Sequence, residues 1–296
     1  MLPRAKAFFT FIVERETIRL RKEAGELYPW TSNLILREYK FTNVRRENDR
    51  TSKEFAAFYK ENITSTTRWD IILNNCGIAR YFGRSEFLIS LGWQKEFNAD
   101  KIVRHAQRRR ADGKRVFTGA YVITNQGISA PKEEVVTEYF LAGLADHASA
   151  LIVGLNRHND WKKFINQMMT LNGFGGSGFM AKEVTLDLIM ATGWQPSDWN
   201  IWSPSGPGAR RGAARVTGID EPKSPSGMVY FRSAERTLEI MLDLYELRDE
   251  LWPTTFTPLR LTDIQFQLCE FDKYERVRLG QGRPRSRYHA RSPGQG

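Results

Sequence analysis

The residues best suited to chemistry lie between Leu171 and Gly218, in LNGFGGSGFMAKEVTLDLIMATGWQPSDWNIWSPSGPGARRGAARVTG. Gly173, Gly175, Gly176 and Gly178 let the chain bend tightly and approach a ligand without Cβ collisions. Further on, Gly206-Pro207-Gly208-Ala209-Arg210-Arg211-Gly212 sets a fixed-φ proline between glycines, just ahead of two cations. A helix opening there would aim free N–H groups, with Arg210 and Arg211, at phosphate oxygens. The competing reading is a hairpin that packs two helices and leaves its arginines solvated.

Other phosphate-binding devices are excluded by the sequence. No Gly-x-x-x-x-Gly-Lys-Ser/Thr loop occurs. A dinucleotide fingerprint needs a strand before its glycines, whereas Trp161 to Leu171 reads as helix. Cys76, Cys269, His105, His147, His158 and His289 are too scattered for a metal site, so no structural metal is expected. Two cysteines in so long a chain suggest a reducing compartment, and we expect a cytoplasmic location without a membrane span or signal peptide.

A net charge of +10 calls for a polyanionic partner. The charge is concentrated in Arg104 to Arg115, which holds one acid, and in the stretch from Arg276 onward, which has six arginines and none. Nucleic acid is therefore the leading partner. Phe41 to Ser52, FTNVRRENDRTS, is a second candidate contact, because Asn and Arg suit base edges and phosphates.

Helical periodicity dominates the elements that must position these residues. Helices are expected at about 3–24, through Phe55, Phe58 and Tyr59, at 67–83, 85–93, 100–110, 132–153, 160–171, from 179, at 232–251 and at 261–279. Phe117 to Ile123 reads as a buried extended loop, and Ser203 to Ser226 as loop with at most one short helix. The expected fold is all-α with a few short extended segments. It comprises a single domain over 1–280, divisible into two packed lobes, and a basic flexible tail over 281–296.

Three stretches together carry a resemblance: Phe41-Thr42-Asn43-Val44-Arg45-Arg46 with Asp49-Arg50; Gly206 to Gly212; and Leu268-Cys269-Glu270-Phe271-Asp272-Lys273-Tyr274 leading to Gly280-Gln281-Gly282-Arg283-Pro284-Arg285. Over roughly 30 to 288 the chain resembles the phage thymine-hypermodification proteins. These are the α-glutamyl/putrescinyl-thymine pyrophosphorylases, or amino acid:DNA transferases, which share a helical module with 5-hydroxymethyluracil DNA kinases. That family is regarded as related to helix-hairpin-helix DNA glycosylases. Leu171 to Ala181 is similar to the glycosylase hairpin, and Asp198 stands where the glycosylase aspartate would follow. The hairpin is longer and richer in glycine, and Asp198 lacks the usual preceding Val and the His two places on; Asp187 competes with it.

The resemblance implies a bacteriophage-type reaction in the host cytoplasm on DNA prepared by a 5-hydroxymethyluracil DNA kinase. The amine of an amino acid or polyamine displaces pyrophosphate from the base methylene. It implies cations for the leaving group, for which Arg210 and Arg211 are candidates, and a base for the incoming ammonium, for which Asp198, Glu270 and Asp49 compete. Substrate and DNA contacts fall to Asn43, Arg45, Arg46, Arg50, Gly173, Gly175, Gly206, Gly208, Lys273, Tyr274, Arg276, Arg283 and Arg285. The target base must leave the stack, and Trp199 or Trp202 could receive it. No cofactor is implied beyond Mg²⁺ accompanying pyrophosphate. The alternatives are the kinase's own helical domain, or a helix-hairpin-helix binding or glycosylase-like protein without transferase activity.

Overall fold

The computed structural model describes residues 2–220, 233–284 and 287–288. Its α-helices are α1 (Ala5–Glu23), α2 (Leu34–Glu38), α3 (Arg50–Asn62), α4 (Trp69–Phe82), α5 (Ser85–Leu91), α6 (Ala99–Ala111), α7 (Lys132–Glu134), α8 (Ala142–His158), α9 (Trp161–Met168), α10 (Phe179–Thr192), α11 (Pro207–Val216), α12 (Ala234–Leu251) and α13 (Leu261–Arg278). A π-helical stretch, Val135–Leu141, joins α7 to α8, and a 3₁₀ turn occupies Arg46–Asn48. The fold is all-α. Among the described residues the sole β pairing is an isolated bridge between Tyr39 and Arg287, and no helix is long and apolar enough to cross a membrane.

The chain divides into two compact units, Met1–Asp49 with Asn200–Gly296, and Arg50–Trp199. In the first, α13 is the axis. It is buried on nearly every side, including Leu261, Ile264, Leu268 and Phe271, and this explains why it shows no single apolar stripe. Around it pack Phe8, Phe9 and Ile12 of α1, Ala209, Ala213 and Val216 of α11, and Ile240, Met241 and Leu244 of α12. Each large apolar side chain buried here contributes about 1.5–3 kcal/mol.

The contact of α11 with α13 depends on missing side chains. A Cβ on Gly212 would lie 2.0 Å from the Leu268 carbonyl oxygen, and one on Gly208 would lie 3.0 Å from Cys269 Sγ. Pro207 occupies the first turn of α11, where its absent N–H costs nothing. Within the stretch read as loop with at most one short helix, that helix is the ten residues of α11, seated on α13. The Tyr288 N–H bonds the Glu38 carbonyl at 2.8 Å, and the Tyr288 ring lies against Tyr28 and Trp30.

In the second unit α4 is central. Gly77 lets it close on Leu144 of α8, whose Cδ2 a Cβ would meet at 2.7 Å. Ile72, Leu73, Ile78, Phe82, Phe87, Trp161, Phe164, Val184 and Leu188 form its apolar interior. A buried polar network crosses it: Arg80 pairs with Asp187, and the Tyr59 hydroxyl donates to Asp187 at 2.9 Å. Asp187 is therefore a buried structural acid. The loop at Phe117–Ile123 is only partly buried: Phe117 stacks on Phe82, whereas Val122 is 81% exposed.

Candidate functional site

In the first unit, Phe41 to Asp49 crosses one face of α13. Val44 is buried and pins the crossing. Gln267 Nε2 donates to the carbonyls of Asn43 and Val44, both at 3.1 Å. The Thr42 N–H donates to Glu270 Oε2 at 3.2 Å. The loop closes on itself where the Asn43 N–H donates to Asp49 Oδ1 at 2.9 Å and Asn43 Nδ2 donates to the Asn48 carbonyl at 2.9 Å. Every residue of 41–49 except Val44 is half-buried.

Charge gathers beneath and beside this loop. Lys273 Nζ bonds both Glu270 oxygens, at 2.9 and 2.7 Å, and lies over the Phe41 ring. Arg15 of α1 is buried, donates to Gln267 Oε1 and is sandwiched near Phe11 and Phe41. Arg46 Nη1 stands 3.8 Å from Asp49 Oδ2. Burial pushes the Asp49 carboxyl above the ordinary aspartate range, opposed by the Asn43 N–H and by Arg46 and Arg15, with Glu270 adding to the rise. A half-buried carboxyl held this way binds a proton more readily than an exposed aspartate does.

A neighbouring group involves the start of α13. Arg45 pairs with Glu47, and Arg260 Nη1 reaches the same Glu47 oxygen at 3.2 Å. Asp263 Oδ2 accepts the Arg260 N–H at 2.8 Å, and burial pushes its carboxyl up to about 7.

The opposite face of α13 carries a different cluster. Buried Asp272 accepts Arg211 Nε at 2.8 Å and Arg215 Nε at 2.7 Å, with Arg276 Nε at 3.4 Å. Arg215 also donates to Gln281 Oε1 at 2.9 Å. Arg210 turns back to donate to the Ser205 carbonyl at 3.0 Å. At 3.6 residues per turn, Glu270 and Asp272 point about 160° apart. Instead of gathering with Asp49 and Glu270, Arg211 bonds Asp272 on the other face of α13 from Glu270, and Arg210 turns to Ser205. Gly208 is corrected likewise, from a ligand-facing turn to a helix–helix contact at Cys269, while Gly206 occupies the N-cap of α11.

Other expected residues lie apart from both clusters or at their edges. Tyr274 accepts a hydrogen bond from Asn33 Nδ2 at 3.0 Å and packs on Phe11. Arg283 is exposed, and Arg285 lies outside the described residues. In the second unit, exposed Arg50 pairs with Glu54 at 2.7 Å. Asp198 accepts the N–H groups of Trp161 and Lys162 at 2.8 and 2.9 Å, so both its oxygens close the start of α9. Gly173 has φ +86°, and a Cβ there would lie 2.4 Å from Phe140; Gly175 sits against the Met169 carbonyl.

Arg15, Gln267, Asp263 and Asp272 escaped the sequence reading. For two of them a signal existed. Asp263, Gln267, Glu270 and Lys273 recur at spacings of three and four, which sets them along one side of the helix.

Comparison with known proteins bears on the whole of this arrangement. A family model described as "5-hmdU DNA kinase, helical domain" matches residues 3–283. A relative from Bacillus phage SP10 named "5-hmdU DNA kinase" is 28% identical over 229 residues, covering 71% of this chain and 35% of its own. The chain therefore spans about a third of that relative's length. No solved structure matches. The matched span takes in all of the second unit and most of the first, and the chain belongs to the family of the 5-hmdU DNA kinase helical domain.

Proposed function

We propose that this chain modifies DNA bearing 5-pyrophosphoryloxymethyluracil, the pyrophosphorylated form of 5-hydroxymethyluracil, transferring an amine to the base methylene in place of pyrophosphate. The family and the relative's name support a role in thymine hypermodification. The observation that carries the finer reading is Asp49: a half-buried carboxyl of raised proton affinity, beside Arg46 on the loop that crosses the Glu270–Lys273 pair. In the reaction an amino acid or polyamine ammonium loses its proton to Asp49. The nitrogen lone pair forms a C–N bond at the methylene as the C–O bond breaks. Pyrophosphate leaves with that electron pair. Arg46 and Lys273, the half-buried cations on this side of α13, meet its charge. Arg211 and Arg276, on the other face, suit backbone phosphates instead.

The test supplies duplex DNA containing 5-pyrophosphoryloxymethyluracil and a pool of amino acids and polyamines, followed by digestion to nucleosides. Aminated thymidine with released pyrophosphate is expected. Abasic sites would instead identify a glycosylase.

A second reading is favoured by the relative's name. In it the chain is a helical module that presents 5-hydroxymethyluracil to a kinase, since its matched span covers 35% of that relative. ATP-dependent phosphate transfer to hydroxymethyl DNA, with no amine incorporated, would select it.

A further inference from the structure

Helix α6, in the second unit, carries a basic ridge outside the proposed site. Ile102, Val103 and Ala106 form its buried side, and Lys101, Arg104 and Arg108 are exposed. At 3.6 residues per turn those three cations fall within an arc of about 60°, over a rise of about 10 Å. Among the described residues, acids pair with Arg110 (Glu133) and with Lys114 (Asp112), but none pairs with Lys101, Arg104 or Arg108. Arg104 Nε bonds the Asp100 carbonyl of its own helix, at 3.2 Å.

Helix stability does not account for this arrangement. The dipole favours Arg108, Arg109 and Arg110 in the last turn, but it disfavours Lys101, which lies in the first. Cations three and four residues apart also repel one another along the ridge. Arg109, beside them and half-buried, is held rigidly: Nη1 donates to the Glu86 carbonyl at 3.2 Å and to Ser90 Oγ at 3.0 Å. Both acceptors are neutral, so its charge stays uncompensated. The same Ser90 oxygen lies 3.0 Å from His105 Nε2. Burial, with Arg109, Arg108 and Lys101, pushes the His105 imidazole below its ordinary range, against a backbone bond at Phe87, so these cations act as one positive field.

We propose that Lys101, Arg104 and Arg108, with Arg109 beside them, form a contact surface for the phosphate backbone of duplex DNA. Their span matches the axial rise of about three phosphates on one strand. A membrane surface would need large apolar side chains on the same face, and the exposed residues of α6 include none larger than alanine in apolar area. Contacts of this kind position a protein on the duplex without reading its sequence. The proposal rests on the reading that the substrate is DNA, and it adds a grip in the second unit to the arginines named on α13 and α11.

The experiment measures binding of the full chain to a short unmodified duplex from about 50 to 200 mM salt. The triple variant Lys101→Gln, Arg104→Gln, Arg108→Gln should bind more weakly, with a slope of log affinity against log salt shallower by about 2.7. Its melting temperature should equal or exceed that of wild type, since like charges no longer repel. The control removes three exposed cations elsewhere in the same unit, by Lys60→Gln, Arg157→Gln and Lys163→Gln, and should keep the wild-type slope. A triple variant with the wild-type slope, or a control that loses as much, overturns the ridge. Phosphatidylserine vesicles that lose binding in the triple variant while the duplex does not would identify a membrane surface and also overturn it. No amine or pyrophosphorylated base enters the assay, so failure of the transfer reaction leaves the ridge standing. Wild-type protein that binds no duplex at all sinks the DNA reading as well.

Discussion

Glu270 and Asp272 stand two residues apart on α13 and anchor separate ionic groups on its opposite faces. Glu270 holds the Thr42 N–H and Lys273 under the polar crossing loop. Asp272 is buried beneath Arg211, Arg215 and Arg276. One face thus has accessible titratable groups, and the other has a cation-rich exterior fixed by an internal carboxylate. On the reading proposed above, this division would separate the residues that do chemistry from those that secure the scaffold and contact phosphate.

Asp272→Asn should be the most damaging single substitution among the site residues. It strands the guanidinium of Arg215, which is 1% exposed, without its charge partner. Breaking a buried pair from one side costs about 3–5 kcal/mol. Urea unfolding would measure this. A loss below about 1 kcal/mol, the range of exposed pairs, would show that water already reaches Arg215.

Gly212→Ala should destabilise more than Gly208→Ala. At Gly212 the new methyl meets backbone, the Leu268 carbonyl at 2.0 Å, so α11 must move off α13. At Gly208 it meets the Cys269 thiol, which can rotate. Overpacking of the first kind costs about 1–3 kcal/mol or more. Equal melting temperatures for the two variants would contradict the close approach of these helices.

The same helix pair also shows where sequence reading stops. Helices α1 and α4 are legible because apolar residues recur at helical spacing over several turns, and α13 because eighteen residues pass without a Gly or Pro breaker. The Gly-Pro-Gly start of α11 reads as a turn by composition. It is helical because proline is tolerated at the first position and because glycine permits the approach of α13, a tertiary cause that no local window contains. The site divides in the same way. Asn43, Asp49, Glu270 and Lys273 stand out as polar residues in short motifs, and the structure groups them. Arg15 lies 252 residues away from Gln267 in sequence, and only folding reveals that it donates to that side chain. The pairing of Arg211 with Asp272 instead of Glu270 turns on helical phase, to which a motif match is blind.

Asp263 gives a pH signature. Its carboxyl is raised from 3.8 to about 7 in the folded chain, chiefly by burial. Between those values the native state binds a proton that the unfolded state releases, so this group's contribution to stability falls as pH rises from about 4 to 7. The span corresponds to a few kcal/mol in order of magnitude, roughly 1.4 kcal/mol per unit. Asp263→Asn keeps an oxygen for the Arg260 N–H and removes the titration. Urea unfolding at intervals from about pH 4.5 to 7.5 should show a shallower decline in the variant than in wild type. Parallel curves would place the titration elsewhere.

The two faces of α13 also predict opposite kinetic phenotypes. Asp49→Asn retains the oxygen that accepts the Asn43 N–H but cannot take a proton. Losing a general base costs about 10²–10⁴ in turnover. Arg46→Ala removes the cation nearest Asp49 and should also lower turnover, with a smaller effect on DNA affinity. Arg210→Ala and Arg211→Ala act from the far side of the helix and should weaken DNA binding and its salt dependence while leaving single-turnover rates on saturating DNA near wild type. Each phosphate no longer neutralised should reduce the slope of log affinity against log salt by about 0.9. Single-turnover transfer at saturating DNA, paired with binding from about 50 to 200 mM salt, separates the two classes. If Arg210→Ala instead lowers the transfer step as Asp49→Asn does, the leaving group is met on the Asp272 face, and Arg46 and Lys273 lose that assignment.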